Sequence, residues 1–420
     1  MSEKRVPDLR FKGFLDDWEQ RELGEILDLL KDGTHGTHSN VEEGTYLLSA
    51  KNIKNGMVNI DPDTDRKISK QEFASIHKNF NLKKGDVLLT IVGSIGESAI
   101  IGNPEGITFQ RSVAYLRPNK MLSSLFLYTN INGAKFQNEL KKRQVISAQP
   151  GIYLGDLSII PMKVPTMTEQ TKIGEFFAAL DQTIALHLRK LDLLKQLKQG
   201  FLQQMFVRDG EKEPVLRFVG FESDWEQRKF FDNIEKTIDF RGRTPKKLGM
   251  DWSKDGYLAL SALNVKNSFI DLRVESHYGN QELYDKWMGS HKLCKGQVLF
   301  TTEAPMGNIA QIPDNRGYIL SQRVIAFIVK KDRLTDDFLA TLLRSPKAFN
   351  ELASLSSGGT AKGVSQKSLS QFKIRIATKL EEQQKIGTFF KQLDNTIALH
   401  HNKLEQLQIL KKGCLKALFI

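Results

Sequence analysis

From residue 169 onward, apolar side chains return at alternating steps of four and three. The series runs Ile173, Phe177, Leu180, Ile184, Leu191, Leu194, Phe201 and Met205, with His187 filling the one polar seam position before Leu191. The same steps recur at Ile386, Phe390, Leu393, Ile397, Leu404, Leu407, Cys414 and Leu418, with His400 in the matching gap. Charged residues lie between, and neither run contains proline. Sustained 3-4 spacing predicts the seam of a coiled coil rather than a helix packed only on its own domain. Each run of about 37 residues would extend about 55 Å at 1.5 Å per residue, long for a domain helix. Elsewhere the pattern changes to short β-type runs such as DVLLTIV, SAIIG, QVLFTT and VIAFIVK, punctuated by Gly, Asn, Pro and Asp. Short helical stretches intervene around residues 124–143 and 335–355.

The two long runs are copies. EQTKIGEFFAALDQTIALH begins at Glu169, and EQQKIGTFFKQLDNTIALH begins at Glu382, 213 residues on. PDLRFKGFLDDWEQR from Pro7 returns as PVLRFVGFESDWEQR from Pro214, and LSAKNIKNG from Leu48 as LSALNVKNS from Leu260. KKGDVLLT, from Lys83, answers CKGQVLFT, from Cys294, and Gln110-Arg111 answers Gln322-Arg323. The chain is a tandem duplication, expected as α+β. Mixed domains at 1–165 and 208–378 alternate with long helices at 166–207 and 379–420, and a Gly- and Pro-bearing hinge spans 207–214. Antiparallel pairing of the helices would give a pseudo-two-fold arrangement with the copies related across the pair. On that arrangement His187 and His400 are expected to meet near the dyad, or else to sit at the seam edge with their tips in water.

A length of 420 residues suffices for two or three cores. No apolar run approaches the roughly 18–20 residues of a membrane span, and MSEKRVPDLR lacks the apolar core of a secretory signal. Two cysteines, Cys294 and Cys414, with no C-x-x-C spacing, suggest a reducing cytoplasm and no thiolate metal site. The formal charge of +12 fits contact with a polyanion, most simply nucleic acid.

Catalytic patterns are absent from the sequence. There is no phosphate-binding G-x-x-x-x-G-K-[ST], no G-x-G-x-x-G, no H-E-x-x-H and no Asn-Pro-Pro-aromatic motif. GSIGES (Gly93 to Ser98) reads as a tight turn. Asp63, Asp65 and Lys67 crowd into PDTDRK, which reads as a solvated loop rather than a nuclease site. Binding chemistry is better represented. Guanidinium groups bond guanine edges in pairs, Asn and Gln do so with adenine, and Lys contacts phosphate. The DNA-facing candidates are Lys31, His35 and His38 in KDGTHGTH, and Arg241, Arg243, Lys246 and Lys247 in DFRGRTPKK. To these are added the duplicated pairs Asn52 with Asn264, Lys54 with Lys266 and Arg111 with Arg323, and, in the late glycine-bearing loops, Gln149 and Lys362. For the basic loops the competing reading is a solvated surface.

The EQ-x-KIG-x-FF-x-x-LD-x-TIALH and RF-x-GF-x-x-DWEQR pairs, with IDFRGRTP, KDGTH and SSGGTAKGVS, resemble the specificity subunits of type I restriction–modification enzymes over essentially the whole chain. The resemblance implies a non-catalytic DNA-binding subunit. Each mixed domain would read half of a bipartite double-stranded target, and an antiparallel helical spacer would hold the readers about one DNA turn, ~34–36 Å, apart. It also implies that the helices dock two methyltransferase (modification) subunits, that restriction/translocase subunits join through the complex, and that S-adenosylmethionine, ATP and magnesium belong to those partners. The repeated polar positions Glu169, Gln170, Lys172 and Asp181, with Glu382, Gln383, Lys385 and Asp394, are the candidate methyltransferase contacts, taken here as exposed. The rival readings are a methyltransferase or nuclease with its own recognition domains, and a structural coiled-coil adaptor with no DNA role.

Overall fold

The computed structural model describes residues 6–145, 150–208, 210–274, 276–357 and 363–419. They form two compact units, one of residues up to Leu188 together with those from Asn402 on, the other of Arg189–His401. These units do not follow the chain-order segments. The central helix is Met167–Gln204 and the C-terminal helix Leu380–Leu418, and each unit takes part of both. The reason is burial, because the apolar seam of one helix stretch completes a core that the mixed domain begins.

In unit 1 the main sheet is antiparallel, in the order Leu27–Asp32, Val113–Pro118, Val87–Thr90, Ser98–Ile100. Residues 87–90 are buried on both faces, which is why this run reads as continuously apolar rather than alternating. A second sheet sets Thr45–Leu48 parallel to Ile107–Phe109 and antiparallel to Lys67–Ile68. A two-stranded ribbon joins Glu19–Glu22 to Pro161–Val164. Unit 2 repeats all three: Ile234–Asp239, Val324–Val329, Val298–Thr301, Ile309–Gln311; then Tyr278–Gly279, Tyr257–Leu260, Ile319–Leu320; then Glu226–Lys229 with Lys373–Ile376.

Within each unit the two long helices run antiparallel. In unit 2 Lys198 Nζ lies 2.5 Å from Asp394 Oδ1, and the rings of Phe201 and Phe389 are 5.0 Å apart. In unit 1 Lys411 meets Asp181 at 2.5 Å, and Phe177 approaches Phe419 at 6.3 Å. The seam positions are buried or half-buried: Ile173, Phe177, Leu180 and Leu191 are buried, as are Ile386, Phe390 and Leu404, while Ile184, Leu194, Leu393, Ile397 and Leu407 are half-buried. Trp18 packs edge-on against Phe126 and Phe419 in unit 1, and Trp225 against Phe206 and Phe338 in unit 2.

The glycine in both KIG sequences has a packing cause. A Cβ on Gly174 would lie 2.6 Å from Leu125 Cβ, and one on Gly387 would lie 2.6 Å from Asp337 Cβ. Each long helix therefore rests directly on the short helix beside it, Ser124–Ile131 or Asp336–Leu343. Glycine in a helix interior costs about 1 kcal/mol relative to alanine, and this close approach offsets it.

Candidate nucleic-acid interface

In unit 2 the main-sheet strand Ile234–Asp239 runs into the loop that carries the basic candidates. Arg241 donates from Nε (2.8 Å) and Nη2 (2.6 Å) to Asp239 Oδ2. Burial pushes the Asp239 carboxyl up, but the bonds it accepts from the Arg241 side chain and backbone and from Gln366 prevail and hold it below its usual range. Arg243 lies over the Phe240 ring at 4.4 Å and donates to the Trp287 carbonyl. Thr244 then caps a single turn, Pro245–Leu248, in which proline takes the first position and Gly249 closes the turn at φ +71°. Lys247 Nζ folds back onto the Gly242 carbonyl at 2.6 Å, whereas Lys246 is exposed with no side-chain partner among the described residues.

The 321–323 segment closes on this loop, with Gln322 Nε2 donating to the Arg243 carbonyl at 3.2 Å. Arg323 holds a left-handed backbone at φ +65°, uncommon for a side-chain-bearing residue, and its Nε lies 2.9 Å from Glu303 Oε1. Between these elements is an open pocket of about 520 Å³. Arg243, Lys246, Gln322 and Arg323 stand around it, with Trp252 and Trp287 as apolar wall. Donors spaced around an apolar wall suit base edges and phosphate.

Unit 1 brings together the matching segments with different chemistry. Thr34 pairs with Gln110, and Arg111 N donates to the Thr34 carbonyl at 3.0 Å. Gly33 permits this, since a Cβ there would be 2.2 Å from the Phe109 carbonyl. His38 Nε2 lies 2.8 Å from Thr34 Oγ1, and its Nδ1 lies 3.4 Å from Glu72. His35, exposed, is 2.5 Å from Asp32. Lys31 stands over the Phe80 ring at 5.2 Å. Arg111 and Lys54 are exposed and have no side-chain partner among the described residues; Lys266, the match of Lys54, is half-buried.

Several candidates have other occupations. Asn52 and Asn264 are buried and staple their own turns. Asn52 accepts from Ser49 N (3.0 Å) and donates to the Asn59 carbonyl (2.9 Å) and Asp65 (2.7 Å). Asn264 accepts from Ser261 N (3.0 Å) and donates to Ser276 Oγ (2.7 Å). Neither amide is available to a base. Asp65, read above as part of a solvated loop, points inward to Asn52 and Lys51. Gln149 and Lys362 lie outside the described residues.

The proposed methyltransferase contacts require a larger correction. Glu169 and Glu382 are buried, and each holds the arginine of the repeated RF-x-GF segment in its own unit. Arg10 donates to Glu169 at 2.8 and 2.7 Å, and Arg217 donates to Glu382 at 2.7 and 2.8 Å. Gln170 and Gln383, also buried, tie the long helix to the preceding strand and the adjoining helix. Gln170 bonds the Pro165 and Met121 carbonyls and Ser123 N; Gln383 bonds the Ala377 and Arg333 carbonyls and Thr335 N. Lys172 and Lys385 lie over Phe14 and Phe221 at 5.2 and 5.0 Å. Asp181 and Asp394 are the acids of the cross-helix ion pairs, and Asp394 also accepts from Arg344 at 2.5 Å. Glu169, Gln170 and Asp181, with Glu382, Gln383 and Asp394, make internal joints, whereas Lys172 and Lys385 stay exposed. The signal was present in the sequence: Arg10 with Glu169 and Arg217 with Glu382 are duplicated together. His187 and His400 are half-buried on their helices, in unit 1 and unit 2 respectively. Among the described residues no group of three or more His, Cys, Asp or Glu could hold a metal ion, and no helix is long and apolar enough to cross a membrane.

The type I restriction modification DNA specificity domain model matches twice, at residues 15–196 and 222–408. The MjaVIII type I restriction enzyme specificity subunit of Methanocaldococcus jannaschii is 24% identical over 419 residues, covering 96% of this chain and 92% of the relative. The EcoBI specificity subunit of Escherichia coli is 26% identical over 199 residues, covering 46% of this chain and 41% of its own. The crystal structure of the S subunit of the M. genitalium type I restriction-modification system superposes with a TM-score of 0.66 at 14% identity, covering 99% of each chain, a likeness of fold. Two matched domains that together span most of the sequence, built on that fold, establish that this chain belongs to the type I restriction–modification DNA specificity family.

Proposed function

We propose that the chain is the DNA-reading subunit of its restriction–modification complex and that each unit reads one half of a bipartite double-stranded target. The observation that carries this is the meeting, in both units, of the same early loop with the same Gln-Arg segment, with different side chains. Unit 2 presents Arg243, Lys246, Gln322 and Arg323 around an apolar-walled pocket, and unit 1 joins its loops at Thr34 and Gln110, beside the exposed His35 and Arg111. One scaffold with two chemistries suits two unlike half-sites. The long helices serve as spacer and as the attachment of two modification subunits, with restriction/translocase subunits joining through the complex. S-adenosylmethionine, ATP and magnesium belong to those partners, and the assembly works in the cytoplasm. The alternative, a methyltransferase or nuclease carrying its own recognition domains, is disfavoured by relatives that are named specificity subunits.

The test uses the assembled complex on duplexes carrying both half-sites, found by mapping methylated adenines. Arg323→Ala should relax recognition of the half-site read by unit 2, by ~1–3 kcal/mol per lost base contact, and leave the other half unchanged. An equal loss on unrelated DNA would mean that Arg323 holds phosphate. Methyl transfer by this chain alone would overturn the reading.

A further inference from the structure

Beside the pocket of unit 2 stands an ion pair that the stability of the unit does not explain. Arg323 Nε lies 2.9 Å from Glu303 Oε1, with the two side chains 54% and 43% exposed. A pair this open to water adds little to stability. Yet the backbone beneath it is fixed from both sides. Thr302 N donates to the Arg323 carbonyl at 2.9 Å, Val364 N donates to the Thr302 carbonyl at 2.9 Å, and Glu303 itself bridges to Gly363. Arg323 is held there in its left-handed conformation, which costs free energy and clusters at functional sites.

Unit 1 has the same backbone with neither charge. There Ile91 N donates to the Ser112 carbonyl and Ile152 N to the Ile91 carbonyl, both at 2.9 Å, and Val92 bridges to Gly151. Ser112 and Val92 therefore stand where unit 2 has Arg323 and Glu303, although the repeated Gln-Arg dipeptides align Arg111 with Arg323 in sequence. The Ser112 hydroxyl accepts from Ala50 N at 3.1 Å, an internal bond. The charged pair belongs to unit 2 alone.

What such a pair can read follows from its donors and its acceptor. A guanidinium offers parallel N–H donors, and the carboxylate beside it only accepts. In the major groove a G·C pair presents the guanine N7 and O6 acceptors and then the cytosine N4 amino donor, the complement of that order. An A·T pair presents acceptor, donor, acceptor, and would set a guanidinium N–H against the adenine amino group. We propose that Arg323 and Glu303 together read one G·C pair in the half-site of unit 2, the guanidinium on guanine and the carboxylate on cytosine. The inference rests on the function given above and names the base pair that this site takes. Unit 1, with Ser112 and Val92 at these places, has no such reader.

The test uses the chain assembled with its modification subunits, on duplexes carrying the target mapped from methylated adenines, with affinity measured at a fixed salt concentration. Each G·C pair of the target is replaced in turn by analogues. 7-Deazaguanine removes the N7 acceptor, and 2-pyrimidinone in place of cytosine removes the N4 amino group. At one G·C pair of the unit 2 half-site each analogue should weaken binding by the unaltered complex about 10-fold or more. Arg323→Ala should abolish the sensitivity to 7-deazaguanine there, and Glu303→Ala the sensitivity to 2-pyrimidinone, while the half-site of unit 1 is read as strictly as before. The analogue penalties are measured on the unaltered complex, so they stand whether or not either variant folds. An A·T pair at the position that Arg323→Ala relaxes would overturn the assignment, as would Glu303→Ala retaining the full penalty for 2-pyrimidinone. Equal weakening of Arg323→Ala on target and unrelated DNA would make the arginine a phosphate contact and overturn it too. Each of these leaves the functional reading standing. An unaltered complex that binds target and unrelated duplexes equally would overturn the functional reading itself.

Discussion

Units 1 and 2 fold alike but fill the joint between long helix and mixed domain differently. In unit 2, Arg344 closes the short helix Asp336–Leu343 and reaches Asp394, which Lys198 also meets; Ser268 Oγ accepts from both Lys198 (2.8 Å) and Arg344 (2.5 Å). In unit 1 the corresponding cap is Asn132, bonded to Ser98 Oγ and the Tyr128 carbonyl, and Asp181 meets Lys411. The matching turn carries Gly56 at φ +76° where unit 2 has Ser268 at φ +83°. Glycine is required in unit 1, where a Cβ would be 2.3 Å from the Tyr128 hydroxyl. Burial, and then the charges of Asp181 and Glu97, push that phenol up to about 12. A large ring with a glycine in one unit is exchanged for a buried cation with a serine in the other. The lesson is that the duplicated backbone tolerates divergence when neighbours change as a set.

The largest expected effect tests the joint that the units share. Glu382→Ala strands Arg217 and removes the acceptor of Trp225 Nε1, 3.3 Å away, whereas the Trp18 indole has no such bond to lose. Denaturant titration should show a loss of ~3–5 kcal/mol for Glu382→Ala, and a smaller one for Glu169→Ala. Equal losses would mean that the indole bond contributes nothing. Next comes the cation cluster. Asp394→Asn leaves two mostly buried cations facing each other and should cost ~3 kcal/mol. Asp181→Asn leaves the more exposed Lys411 and should cost about 1 kcal/mol or less. If the two match, the difference between the joints is geometric only. The smallest effect depends on pH. Burial, and then the Asp337 charge, raise the Asp336 carboxyl to about 6, and the corresponding position in unit 1 is Ser124. A raised folded-state value means that the folded chain retains a proton the unfolded chain has lost. The contribution is therefore complete below about 4 and lost as pH rises through about 6. The melting temperature of unit 2 should fall over that interval, and Asp336→Asn should flatten the fall. An unaltered slope in the variant would place the proton elsewhere.

The duplication, both long helices and the loops that converge on the candidate DNA surface were legible in the chain, because periodicity and repetition are written in residue order. The burial of the repeated polar positions was not. Glu169 and Gln170 look like surface residues until Arg10 and the Pro165, Met121 and Ser123 backbone are brought to them. Asn52 and Asn264 look like base readers until their turns close around them. A polar side chain shows its type in the sequence but not its partner. Arg323 was identified as a candidate from repetition, whereas its left-handed backbone and its place beside Trp252 and Trp287 became visible only in the folded unit.

Residue order by itself determined that there are two copies of one design, that each ends in a long amphipathic helix, and that basic loops recur at matching points, since these depend on local pattern. Tertiary structure decided which repeated groups face inward and how the helix stretches divide between the compact units. Those outcomes depend on contacts between residues far apart in the chain, where burial selects among partners that the linear pattern leaves equivalent.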